Sequence, residues 1–248
     1  MADVYTCKYA FRYASEIVYA LRRFKDLINK EHMNVISFGC GPCTDLFALD
    51  YLKRNGEMHF KTIEYRGIDY SKNVWCHIHD DIKTFEADEY KITFSYENIC
   101  QSIHKLFHDT WDPDLIVFQY VLSDMHKHTG TIETESFINT FSEYYNKKVL
   151  PNTYTILNDI NLGNDYGGGR EYFDLLCDKI ESSTVKKGRF RNDNSKSSYY
   201  PYGYTYGETS DGEFSDNRIL FNSNMWQKYS PFKSCASAQM LIKKEAGI

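Results

Sequence analysis

The chain has 248 residues, 42% of them hydrophobic and 25% charged, with 34 acids against 29 bases and a formal charge of −5. This composition fits one globular domain, excludes extended disorder, and gives no support for a nucleic-acid substrate while leaving room for a local basic groove. No apolar stretch approaches the roughly 18 residues that span a bilayer, so no membrane association is expected.

The N-terminus has no apolar signal core with a small-residue cleavage site, which predicts a cytoplasmic protein. Seven cysteines without an export signal read as free thiols in a reducing compartment. With only 5 prolines no interdomain linker is visible, and 1–248 is read as a single domain.

Residues 5–30 carry Phe11, Ile17, Val18, Ala20, Leu21, Phe24, Leu27 and Ile28 at three- and four-residue steps, which predicts one or two helices. Residues 34–38 are a β-prone run ending in the turn Gly39 to Cys43, and 44–53 is amphipathic and helical. The alternation continues as strand 63–68, helix 73–85, strand 92–96, helical 98–107 and strand 114–118. It then gives helix 133–148, strand 154–157 and helix 171–180. The run 114–118 is almost wholly apolar, as expected where helices cover both faces of a parallel sheet. Five such alternations predict an α/β fold with a doubly wound, mostly parallel sheet.

Beyond Lys186 glycine, serine and tyrosine dominate, notably in 197–206, and two later runs, 218–222 and 236–243, are expected to close the sheet as an antiparallel C-terminal edge hairpin. The basic runs 186–189 and Arg22-Arg23 read as solvated faces.

The informative stretch is Val35-Ile36-Ser37-Phe38-Gly39-Cys40-Gly41-Pro42-Cys43-Thr44-Asp45. At the end of the first strand of such a sheet, glycines let the backbone approach a ligand, and the next helix presents unpaired N–H groups. The following strand ends in Asp69, whose carboxylate can accept hydrogen bonds from both ribose hydroxyls of an adenosine; capping of the helix near Ser71 is the plainer role.

From residues 34 to 159 the chain resembles the class I S-adenosylmethionine-dependent methyltransferases. Gly39 and Gly41 match their glycine motif, Asp69 the acid closing strand two, Asn98 the polar residue near the adenine, and 112–124 the aspartate-led strand opening onto the active site. The resemblance implies a Rossmann-like fold and S-adenosyl-L-methionine as cofactor, held by Ser37, Gly39, Cys40, Gly41, Asp45, Asp69, Tyr70, Asn98 and Gln119. It also implies an N-terminal helical lid over 1–30, a cofactor-binding core over 34–160, and sheet completion with the substrate region over 161–248. Two positions depart from the family pattern: Cys43 stands for the third glycine, and Ser37 for the acid two residues before the first. The second change puts in question how the cofactor's amino group is held.

Asp124 and His126 follow strand four and are the candidate catalytic residues; Asn158 and Asp159 end strand five. Plainer roles are an N-cap for Asp124 and a polar loop for His126 and His128. Tyr5, Tyr9, Phe11 and Tyr13 suit a lid or ordinary packing, and the tyrosines of 199–206 suit either a stacking surface or an edge hairpin. The acceptor is expected to be a small molecule, without a residue pattern that names it.

Two other readings of the same residues compete. Cys40-Gly41-Pro42-Cys43 is also the active-site tetrapeptide of thioredoxin-like oxidoreductases, but Gly39 replaces the preceding tryptophan usual there, and no proline lies between Pro42 and Pro113. Zinc ligation by Cys40 and Cys43 with Cys76 or His79 would occupy the turn the cofactor needs, and 76–79 fits a helix face, so no metal is expected. A regulatory partner that binds the cofactor without transferring methyl is the third alternative.

Overall fold

A computed structural model describes residues 2–85, 88–190, 213–214, 218–221, 228 and 231–247. In chain order these form α1 (Ala2–Leu21), a 3-10 turn (Lys25–Asn29), β1 (His32–Phe38), α2 (Thr44–Arg54), β2 (Thr62–Asp69) and α3 (Lys72–Lys83). There follow β3 (Tyr90–Tyr96), α4 (Ile99–Leu106), β4 (Leu115–Gln119), α5 (Val121–Thr129), α6 (Thr131–Lys148) and β5 (Tyr154–Ile160). The chain closes with α7 (Glu171–Cys177), β6 (Ser183–Phe190), β7 (Glu213–Phe214) and β8 (Ser237–Lys244).

The strands form one sheet in the order β3-β2-β1-β4-β5-β8-β6-β7. β1 to β5 pair in parallel, and β8 lies antiparallel between β5 and β6. Strand order reverses between β1 and β4, which makes the carboxyl ends of these two strands the switch point where ligands sit in open α/β sheets. No helix among the described residues is long and apolar enough to cross a membrane.

Both sheet faces are covered, so the central strands β1, β4 and β5 are mostly buried on both sides and their apolar residues divide alternately between two cores. Val35, Leu115, Val117 and Ile156 pack under α1 and α2 against Ile17, Leu21 and Leu49. Ile36, Phe38, Ile116 and Phe118 face Ile103, Phe137, Phe141 and Phe173 on α4, α6 and α7.

The predicted antiparallel C-terminal pair is present with a different member. β8 takes the place expected for 236–243, but its outer partner is β6, and Arg218 makes only an isolated bridge to Ser234 where a strand over 218–222 was expected. The basic run 186–189 belongs to β6, where Lys186 is exposed and Lys187 is half-buried and paired to Asp174. His126 and His128, for which a polar loop was the plainer reading, lie on α5, which also takes up residues 121–124 of the expected strand motif. The tyrosine run 199–206 lies outside the described residues.

Candidate functional site

The turn leaving β1 places three residues at positive φ: Gly39 at 64°, Gly41 at 45° and Cys43 at 55°. Glycine reaches this region without a Cβ penalty, and at Gly39 a Cβ would also stand 2.8 Å from Val121 Cγ2. Cys43 takes the left-handed conformation as the N-cap of α2. The family's third glycine is thus replaced by a residue that keeps the glycine-like backbone.

The Asp69 carboxylate clamps this turn from the next strand. Oδ2 accepts from Gly41 N at 3.0 Å and Oδ1 from Ser71 N at 2.8 Å, so it fastens the glycine turn and the entry to α3 together. Burial raises its pKa against the pull of those two amides. Each carboxylate oxygen retains acceptor capacity beyond the single amide it holds.

Beneath the turn, Tyr65 Oη donates to Asp45 Oδ1 at 2.9 Å and the Ser37 hydroxyl also bonds the Asp45 carboxyl. Asp45 Oδ2 has no hydrogen-bond partner among the described residues, and burial pushes the pKa of this carboxyl up. Ser37 pulls that pKa down against the burial, as does Tyr65.

The thiols of Cys40 and Cys43 point inward under the same turn and meet His79 of α3, all three side chains being buried. His79 Nε2 stands 3.7 Å from Cys40 Sγ and 2.7 Å from Gly41 O, while Nδ1 is 2.9 Å from Tyr96 Oη. Its ring stacks on Phe94 at 3.9 Å with 8° between planes. Burial raises the Cys40 pKa; that of Cys43 is lowered by Cys40 and His79 in spite of burial. The histidine expected on a plain helix face is thus turned into the core.

α1 crosses the carboxyl ends of the strands. Tyr5 meets Trp75 of α3 edge-on at 5.6 Å, and Tyr13 stacks on Tyr120 at 4.1 Å. The Gln119 side chain is shared between the two helices flanking it: Oε1 accepts from Thr44 Oγ1 at 2.5 Å and Nε2 donates to Tyr13 O at 2.8 Å. Glu16, fully buried, accepts from Arg12 Nε, Tyr120 Oη, Asn158 Nδ2 and Ala236 N.

The remaining predicted residues fall as follows. Tyr70 is exposed at the mouth, and Asn98 caps α4 by accepting from Cys100 N at 2.8 Å, which leaves its amide nitrogen free of that bond. Asp124 is exposed in the first turn of α5, 3.4 Å from His128, rather than at an N-cap. His126 Nδ1 is 2.7 Å from Tyr172 Oη, directing that nitrogen toward α7. Asp159 caps α5 through Leu122 N and Ser123 N, and Asn158 is consumed by Glu16, Ser237 and Gln239. Glu16 and Tyr120 were not singled out as partners in the sequence, and His79 was weighed only as a zinc ligand and set aside. The one available hint was the charge pair Arg12/Glu16 at helical i,i+4 spacing within an otherwise apolar stripe.

No protein-family model matches the chain, and no curated protein matches it. Solved structures do. The plantazolicin methyltransferase BpumL, in complex with SAH, aligns at 13% identity and a TM-score of 0.52 over 98% of this chain and 88% of that one. A Methanococcus maripaludis protein described as an S-adenosyl-L-methionine-dependent methyltransferase aligns at 13% and 0.50 over 99% and 92%.

The chain has the Rossmann-like methyltransferase fold.

A third methyltransferase-fold structure, the O-methyltransferase TomG from Streptomyces achromogenes in complex with SAM, aligns at 7% identity and 0.50 over 94% and 79%. At these identities the likeness concerns the fold, and within that methyltransferase fold the Asp69–Gly41 clamp sits where β2 and β1 end side by side.

Proposed function

We propose that the chain is an S-adenosyl-L-methionine-dependent methyltransferase acting on a small molecule. The observation carrying this reading is the Asp69 carboxylate, held against the glycine turn at the switch point of a methyltransferase fold.

The residues fit the cofactor on three counts. Gly39 and Gly41 leave the turn without side chains, Asp69 keeps lone pairs for ribose hydroxyls, and Asp45 Oδ2 is a buried acceptor in want of a donor such as an ammonium. Cys40 lines the turn through its backbone, and Ser37 acts through Asp45. Tyr70 and the Asn98 amide would flank the adenine, with Gln119 closing the far side. Bound there, the cofactor supplies an electrophilic methyl group on a sulfonium; the protein's part is to orient the acceptor and exclude water. α1 serves as the lid, with Tyr13 and Tyr120 walling the approach over β4. Asp124, exposed on α5, is the better placed of the two candidate bases, since His126 is tied to Tyr172.

Calorimetry with S-adenosyl-L-methionine and its demethylated product tests the reading. Wild type should bind both, Asp69→Ala should lose binding with the fold intact, and a labelled-methyl screen against metabolite pools should yield a product. Absence of binding by wild type overturns the proposal. Binding without transfer to any acceptor favours the regulatory-partner reading. The dithiol-oxidoreductase reading has against it the burial of both thiols beneath the turn.

A further inference from the structure

We propose that Cys40, Cys43 and His79 form a thiolate–imidazole site for a zinc-like divalent cation beneath the glycine turn. The three ligand atoms lie within 4.8 Å of one another, and all three residues are more than nine-tenths buried. Tetrahedral zinc with Zn–S near 2.3 Å and Zn–N near 2.0–2.1 Å places sulfur and nitrogen about 3.5 Å apart along an edge. The Cys40 Sγ to His79 Nε2 separation of 3.7 Å already matches that edge.

The surroundings are those of a supported ligand set. Tyr96 Oη at His79 Nδ1 orients the ring so that Nε2 faces the thiols, the outer-sphere partner that metal-bound histidines characteristically have. Phe94 stacks flat on the imidazole and holds its plane. Gly67 leaves room for the Cys40 sulfur: a Cβ there would lie 2.9 Å from Sγ. In the metal-free state Nε2 is held by Gly41 O. Metal binding exchanges that bond for coordination: the Nε2 proton moves to Nδ1, where Tyr96 Oη accepts it, one proton leaves each thiol, and a fourth position remains for a water or an added ligand. The cation would tie the β1–α2 turn to α3 through side chains other than the Asp69 clamp.

The test is titration of the full chain, kept reduced with a phosphine, with Co²⁺ and then Zn²⁺. One Co²⁺ per chain should give thiolate-to-cobalt charge-transfer absorption and tetrahedral visible bands, which Zn²⁺ then bleaches. Cys40→Ser and Cys43→Gly should each remove about half of the charge-transfer intensity. The glycine variant is chosen because its backbone suits the positive φ, so the turn survives. Tyr96→Phe should weaken affinity by about tenfold, and Cys76→Ser on the same helix should change nothing. Asp69→Ala should keep the absorption, which separates this site from cofactor binding. No charge-transfer band in wild type, or a band that survives loss of both Cys40 and Cys43, overturns the proposal.

Discussion

The Tyr120 hydroxyl donates to Glu16 Oε2 at 2.8 Å, joining the first helix to the end of the fourth strand. Glu16 is fully buried and has four donors, among them the Arg12 guanidinium. Truncating one partner of such a pair strands the other, at a typical cost of about 3–5 kcal/mol. Glu16→Ala is therefore expected to lose about that much in urea unfolding, with Glu16→Gln losing less because it keeps acceptor and shape. A loss under about 1 kcal/mol in the alanine variant would contradict the hub role.

Asp159 governs a pH dependence of opposite sign to the usual carboxylate. Burial pushes its pKa up to about 6, against the amides of Leu122, Ser123 and Ile160 that bond it. Between about pH 4, where the unfolded group titrates, and about 6, the native state binds the extra proton. Its contribution is complete below the unfolded pKa and is lost as pH rises through 6, a change of about 3 kcal/mol. Wild-type minus Asp159→Asn stability, followed by urea midpoint from pH 4 to 7.5, should fall across that window. A difference that rises with pH would refute the assignment.

Gly67 is there because of its neighbours. A Cβ would meet the Phe94 ring at 2.7 Å and Cys40 Sγ at 2.9 Å, with Phe94 already pinned against His79. Gly67→Ala should cost about 1–3 kcal/mol by overpacking, visible as a lowered thermal midpoint and a shifted Phe94 ring resonance. An unchanged midpoint would mean that the strand relaxes freely.

Tyr13→Ala removes the stack on Tyr120 and the contact with Tyr5. Amide exchange over residues 2–21 should quicken while β1 and β4 stay protected, because the stack belongs to the helix and not to the sheet. Equal acceleration in the strands would show that the stack also secures β1 and β4.

The β1–α2–β2 unit was readable because its signals are local: an apolar run, a glycine bend, an amphipathic stretch and an acid. β8 was readable for the same reason, being buried along almost its whole length. β6 was not, since Thr184 and Lys186 face outward and its few buried residues, Gly188 and Phe190, come only at its end. α5 is short and carries two histidines, so its period is faint. The residues proposed to hold the cofactor were nominated by resemblance to the family's motifs. The Glu16 hub and the turning-in of His79 depend on partners as far as 220 positions away, and no window of sequence displays them.

The placement of β8 sets an order on biosynthesis. β5 and β6 never touch; each needs residues 237–244 between them. Until those residues leave the ribosomal tunnel, β5 presents a bare margin and β6 can join only the two residues of β7. A nascent chain must hold that half of its structure in waiting, and chaperone engagement there should last until residues 237–244 emerge.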